Sequence, residues 1–169
     1  MSALDRVQKA FDGIDFEIVE VADGTPCFEV KREALHDCVR ILRDQCGFQT
    51  NTFVTAVDHL PNAPRYELSY QFLSIENADR VRLKTRLEES DARIATITDL
   101  FEGTAYSERE VYDFFGIEFD GHEGLKRLHM PDGYGHYPLR KDFPHRGIEP
   151  DRLYREWERE HAGGDTYRS

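Results

Sequence analysis

The sequence predicts an α+β fold, a two-layer domain in which a mixed β-sheet is covered by helices. Three observations carry that expectation. Strand-like and helix-like patterns alternate irregularly as far as residue 118, without the regular β–α repeat of a parallel sheet. Two segments, "RYELSYQFLS" and "DRVRLKTRLEE", alternate apolar and polar residues with the period of a strand. After Gly116 the chain changes character, with five glycines and three prolines between Gly121 and Gly147.

The elements follow in order. Leu4, Val7 and Phe11 fall at helical spacing. The charges from Asp5 onward interrupt any secretory apolar core, so a docked helix is expected there. Residues 14–21 and 27–31 read as two short strands around the turn "ADGTP". A helix is expected from about Arg32 to Cys46, with Leu35, Cys38, Val39, Leu42 and Cys46 as its apolar stripe and Gly47 ending it. "TNTFVTAVDHL" reads as a strand, "PNAP" as a turn and "RYELSYQFLS" as a half-buried hairpin partner. In "DRVRLKTRLEE", Val81, Leu83, Thr85 and Leu87 face one way. Arg80, Arg82, Lys84 and Arg86 form a basic stripe on the other, expected to pair across strands with acids such as Glu67. A connecting segment with Ile94, Ile97 and Leu100 leads to a further helix.

The domain is therefore placed at residues 1–118, and residues 119–169 form an extended Gly/Pro-rich docking segment with a short C-terminal helix beginning at Pro150. That helix offers only Leu153, Tyr154 and Trp157 as a stripe, too little for a core of its own.

Composition narrows the function classes. Only 39% of residues are hydrophobic and 33% are charged, so much of the surface is solvated or shared. A net charge of −11 argues against nucleic acid, which needs a positive field. No stretch approaches the roughly 20 apolar residues of a membrane span. Cys27, Cys38 and Cys46 form no CxxC, and the latter two read as small core residues; a cytoplasmic chain with no iron–sulfur ligand set is expected.

"YSEREVYDFFGI", residues 106–117, is the best-specified local structure. Ser107 and Glu110 have the spacing of a capping box, and Tyr106 and Val111 that of a hydrophobic staple. Val111, Phe114 and Phe115 make one apolar face, Gly116 stops the helix, and Ile117 folds back. Glu108 and the Arg109–Asp113 pair are placed opposite that face, within salt-bridging reach of each other in the case of the pair. No nucleophile accompanies these carboxylates, so no catalytic residue is assigned. His122, His129, His136 and His145 lie seven, seven and nine apart, which fits no compact metal pattern. No GxGxxG, GxxxxGK[ST] or GxSxG frame is present. "GHYPLRKDFP" combines charges, large apolar groups and prolines that pre-set an extended path, features suited to lying along another protein.

The two segments together resemble the signature of the 30-kDa subunit family of respiratory complex I, the C-type subunits of NADH-quinone oxidoreductase. The matching positions are Glu108, Arg109, Glu110, Asp113, Gly116, Ile117, Phe119, Gly121 and His122 in the first motif. Leu125, Lys126, Arg127 and Leu128 follow in a basic stretch, then Pro138, Leu139, Arg140, Lys141, Asp142 and Phe143 in the second motif. Two departures stand out: Glu123-Gly124 replaces a Pro-Asp or Pro-Asn pair, and Tyr137 intervenes between His136 and Pro138. The resemblance implies a non-catalytic component on the cytoplasmic side of the inner membrane, peripheral to it, in a proton-pumping NADH:quinone oxidoreductase. It implies no cofactor and no metal on this chain, with FMN, iron–sulfur clusters and quinone on partners. Those partners would be the 49-kDa-type (D-type) quinone-site subunit and the B-type and I-type iron–sulfur subunits. Glu108, Arg109, Glu110, Asp113, Gly116, Gly121, His122, Arg127, Pro138, Arg140, Lys141 and Asp142 would serve as signature and interface residues. The equivalent subunit of a membrane-bound energy-converting hydrogenase, or another NADH-independent relative, is the alternative. A free-standing metal hydrolase using the loop histidines is a third.

Overall fold

A computed structural model describes residues 2–145 and 147. It has the predicted α+β architecture: a five-stranded sheet with helices packed around one core. Helix α1 (Ala3–Ala10) opens on a capping box, the Ser2 hydroxyl accepting from the Asp5 amide while Asp5 returns to the Ser2 amide. Val7 and Phe11 are buried beneath it, as their spacing predicts. Strands β1 (Phe16–Ile18) and β2 (Cys27–Val30) pair antiparallel. Helix α2 (Arg32–Asp44) buries Leu35, Cys38, Val39 and Leu42. At its end Gly47 takes a left-handed φ of 73°, and the Phe48 amide closes back on the Leu42 carbonyl at 3.0 Å.

Strands β3 (Thr50–Asp58), β4 (Tyr66–Ser74) and β5 (Asp79–Leu87) form an antiparallel meander. The parallel pairing of β2 with β5 makes the sheet mixed. Strand β4 is not half-buried as its alternation suggested: both of its faces are covered. Tyr66, Leu68, Tyr70 and Phe72 enter the core. On the other face Glu67 meets Lys84 at 2.7 Å and Arg86 at 3.1 Å, while Gln71 accepts from Arg82 at 2.9 Å. The long basic side chains of β5 lie over this face and hide it from water. Arg86 also reaches Glu29 at 3.0 Å and Arg82 reaches Asp23 at 2.7 Å, so three of the four basic residues are paired within the chain and Arg80 stays exposed.

Beyond β5, a short strand β6 (Arg93–Ala95) pairs parallel with β7 (Glu118–Asp120), and helix α3 (Ala105–Phe115) crosses between them. The boundary expected at residue 118 thus falls inside a strand. The helix expected from Pro150 lies outside the described residues.

The mouth of the β3–β4 hairpin is closed by charge. Arg65 is 3% exposed and donates to both oxygens of Asp58, at 3.0 and 2.8 Å; its remaining nitrogen meets Glu89. Burial would raise the Asp58 pKa, but Arg65 and the amides of Lys141 and Leu60 outweigh it and hold the carboxyl at about 2. This charge favours folding above the ordinary carboxylate range, and the contribution is lost as pH falls toward about 2. Replacing Arg65 by Met strands a buried carboxylate, and urea unfolding of the chain at neutral pH should show a loss of about 3–5 kcal/mol. The deficit should shrink in acid as Asp58 takes up a proton.

Candidate functional site

Helix α3 and the loop after β7 carry almost every residue singled out by the sequence, and the structure brings them together. The helix begins earlier than predicted. A 3-10 turn over Glu102–Thr104 runs straight into it, with the Thr104 hydroxyl donating to the Phe101 carbonyl at 2.7 Å. Ser107 therefore sits inside the helix, not at its cap. Glu110 is half-exposed with its carboxylate 3.8 Å from His129, and Tyr106 is 67% exposed, not stapled to Val111. Val111, Phe115 and Ile117 enter the core, and Gly116 ends the helix at φ 72°, as expected.

Glu108 and Asp113 were expected opposite the core, and both are instead wholly buried. Glu108 packs against the segment after β6, where it accepts from the Ile97 amide at 2.9 Å and from the Thr96 hydroxyl. Burial pushes its pKa up despite these two donors. Nearby Tyr70 is raised in turn by its own burial and by the Glu108 charge.

Asp113 is turned the other way and does not pair with Arg109. Its Oδ2 accepts three consecutive amides, from Leu128, His129 and Met130, at 3.1, 2.6 and 3.0 Å. Its Oδ1 accepts from Arg127 at 3.1 Å. Burial would raise this pKa, but the three amides and Arg127 together lower it. Arg127 also donates to the Asp113 and Tyr134 carbonyls. Arg109 holds the Lys126 and Arg127 carbonyls at 3.3 and 2.9 Å. At the near end, Gly121 turns the chain at φ 87°, and His122 Nε2 donates to the Ala105 carbonyl at 3.1 Å while its Nδ1 accepts the Gly124 amide.

The second motif is laid on the same helix. The Leu139 amide donates to the Phe114 carbonyl at 3.2 Å, and Arg140 Nε to the Phe115 carbonyl at 2.6 Å. Arg140, expected against a partner, thus spends this bond within its own chain. Its guanidinium stacks 4.3 Å from the Tyr137 ring, which receives Arg127 at 4.7 Å. Pro138 is partly buried beside these groups. The Lys141 amide donates to Asp58 at 2.8 Å, and Asp142 meets Arg65 at 3.0 Å. Arg65 and Asp58 carry this arrangement together with Tyr66 and Tyr137, and the two charged residues were not singled out from sequence. The signal available was the short Asp58-to-Arg65 spacing across the "PNAP" turn.

Tyr112, Arg127, Tyr137, Arg140, Tyr66 and Arg65 follow one another in a ladder of cation–π contacts at 4.3–5.8 Å, and Arg109 lies over Tyr106 as a separate pair at 5.7 Å. The ladder ties loop to helix and helix to sheet. The histidines do not converge: His129 stacks on Phe114 at 5.3 Å and His136 sits edge-on to Tyr134. Among the described residues no three His, Cys, Asp or Glu side chains could share a metal ion, and no helix is long and apolar enough to cross a membrane.

These features define a class of protein: an α+β domain whose charged signature residues strap a Gly/Pro-rich segment across one helix. The chain belongs to the respiratory-chain NADH dehydrogenase 30-kDa subunit family, whose profile matches residues 28–149. It is 43% identical to the C-type subunit of NADH-quinone oxidoreductase from Citrifermentans bemidjiense over 76% of this chain and 79% of that one. With the corresponding protein of Trichlorobacter lovleyi it shares 38% identity over 86% and 90%. Among solved structures it is similar to the trypsin-resistant fragment of Nqo5, with a TM-score of 0.64 and 28% identity over 73% of this chain and all of that one. It is also similar to a chain of the membrane-bound sulfane sulfur reductase, an archaeal respiratory membrane complex, with a TM-score of 0.69 and 25% identity over 91% and 90%.

Two variants probe this geometry. A Cβ on Gly116 would lie 2.5 Å from the Tyr137 ring and 2.6 Å from the Arg140 guanidinium, on a backbone with φ 72°. Gly116→Ala should displace residues 137–142 and lower stability by about 1–3 kcal/mol, with trypsin cutting sooner after Arg140 and Lys141. Glu108, with its raised pKa, favours folding below the ordinary carboxylate range, and that contribution is lost as pH rises through its folded value. Glu108→Gln keeps an acceptor for the Ile97 amide without the buried charge. Its melting temperature should exceed that of the parent at pH 7, and the gap should close toward pH 4.

Proposed function

We propose that this chain is a non-catalytic member of the peripheral arm of a proton-pumping NADH:quinone oxidoreductase. In this reading it supports assembly and the quinone-site subunit while electrons pass from NADH to quinone. It sits on the cytoplasmic side of the membrane, against the 49-kDa-type (D-type) subunit and the B-type and I-type iron–sulfur subunits. FMN, clusters and quinone belong to those partners and their neighbours. One observation carries the reading: the family's charged signature is spent on the strap itself. Asp113, Arg127 and Arg140 all bond main-chain groups of their own chain. A segment so fixed offers a rigid surface, with Leu139 and Lys141 facing outward, on which a partner protein can seat without first ordering it. The signature residues Glu108, Arg109, Glu110, Gly121, His122, Pro138 and Asp142 contribute by building or flanking that surface.

A second reading is favoured by the similarity to the sulfane sulfur reductase chain, which extends over nearly the whole of both chains. In that reading the same module serves an NADH-independent membrane complex. Deleting the chain and assaying membranes for NADH-driven quinone reduction separates the two. Loss of that activity, restored by the wild-type chain and accompanied by loss of the assembled complex on a native gel, is expected. Membranes with undiminished NADH oxidation would favour the second reading.

A further inference from the structure

The two edges of the sheet are built differently. β1 is three residues long, carries the exposed Glu17, and has Asp15 and Glu20 on its flanks. Short length and charge are the ordinary means of keeping an edge from pairing. β3, at the opposite edge, runs nine residues, and Thr50–Val57 contains no charge, proline or glycine in a chain that is 33% charged. Among the described residues it carries one bulge, between Asn51 and Phe53, and helix α3 packs against the strand. Among the described residues, the backbone of Thr50–Val57 hydrogen-bonds β4 and nothing else, so the groups on its other side are unspent. Phe53 and Val57 stand 38% and 44% exposed on the outer face, with exposed Thr55 between them. The first charge after this run, Asp58, is occupied by Arg65 and the Lys141 amide.

We infer that the free edge of β3 is a strand-addition site, taking an extended, uncharged segment of a partner polypeptide with apolar residues at alternate positions. Main-chain hydrogen bonds to β3 would hold such a segment, and its apolar residues would cover Phe53 and Val57. Charge selects the partner. At −11 a second copy of this chain is repelled, whereas a segment flanked by lysine or arginine is attracted. The inference rests on the reading of this chain as part of a larger assembly, and names one of its docking surfaces.

Amide-resolved hydrogen exchange on the full chain, free and within the natively purified membrane complex, tests it. Alternate amides of Thr50–Val57 should exchange quickly in the free chain at low and high concentration, and slow by on the order of 100-fold on assembly. Protection in the free chain at every concentration would mean the chain covers its own edge. Protection that grows with concentration would mean a second copy does. Either result overturns the inference, as does an edge that stays fast in the complex. The variant Thr55→Lys changes only an exposed side chain. It should melt with the parent yet be recovered in the complex on the order of tenfold less; recovery equal to the parent's also overturns the inference. A wild-type chain absent from every such complex overturns the proposed membership of the assembly along with this inference. A chain present with fast edge amides overturns this one alone.

Discussion

Asp113 has no exposed surface, and a carboxylate in that position must find its donors inside the protein or lose its charge. It finds four, three of them successive amides of a loop with no regular structure and the fourth Arg127. One side chain thereby fixes the path of residues 127–130. Arg127, drawn in by the same carboxylate, fixes the Tyr134 carbonyl and stacks on Tyr137. The position of Tyr137 then sets where Arg140 can lie, and Arg140 sets the approach of Lys141 to Asp58. A path of charge-assisted and cation–π contacts runs from the helix to the far hairpin, and the end of the described chain hangs on its first link.

That arrangement explains the use of glycine and proline in a segment that must be ordered. A loop tied by its main-chain amides and carbonyls needs sharp turns more than it needs side-chain volume. Gly121 and Gly133 supply positive φ where it turns, and Pro138 removes a donor that would otherwise need a partner near the partly buried ladder. Gly116 has a different task. It ends the helix in the left-handed region and leaves room for Tyr137 and Arg140 to close over it, so a single missing Cβ serves both the cap and the strap.

How much of this was legible in the sequence differs element by element. Helix α2 and the hairpin of β3 and β4 lie close to their expected limits, because Leu35, Cys38, Val39 and Leu42 repeat at helical spacing and "PNAP" breaks two period-2 runs. The pairing of the β5 stripe with Glu67 was also readable, since opposite charges face each other when strands run adjacent. Helix α3 was read with one apolar face, and that assumption hid the roles of Glu108 and Asp113. The helix lies between the core and the strap and buries more than one side. A hydrophobic stripe marks only the side that meets apolar groups. The side that meets loop amides is written in carboxylates, which a wheel drawn on hydrophobicity assigns to water. Strand β6, three residues long and paired to a strand that follows the helix, has too short a pattern to be seen.

Glu108 and Asp113 lie five residues apart on one helix, neither with exposed surface, and their acidities are shifted in opposite directions. Burial acts on both in the same sense but Glu108 lies deeper, and the donors add to the difference. Glu108 has one amide and one hydroxyl, neither charged. Asp113 has three amides and a guanidinium, enough to replace the water it has lost. Acid therefore acts oppositely on the two ends of α3. Protonation relieves the end packed against Thr96 and Ile97, and it loosens the end that holds the strap. The strap depends on an ionised group at Asp58 as well, so its two anchor points weaken together as pH falls while the contact made by Glu108 does not. The domain and its signature loop, continuous in structure, thus answer to different electrostatic demands, and the boundary between them runs through a single helix.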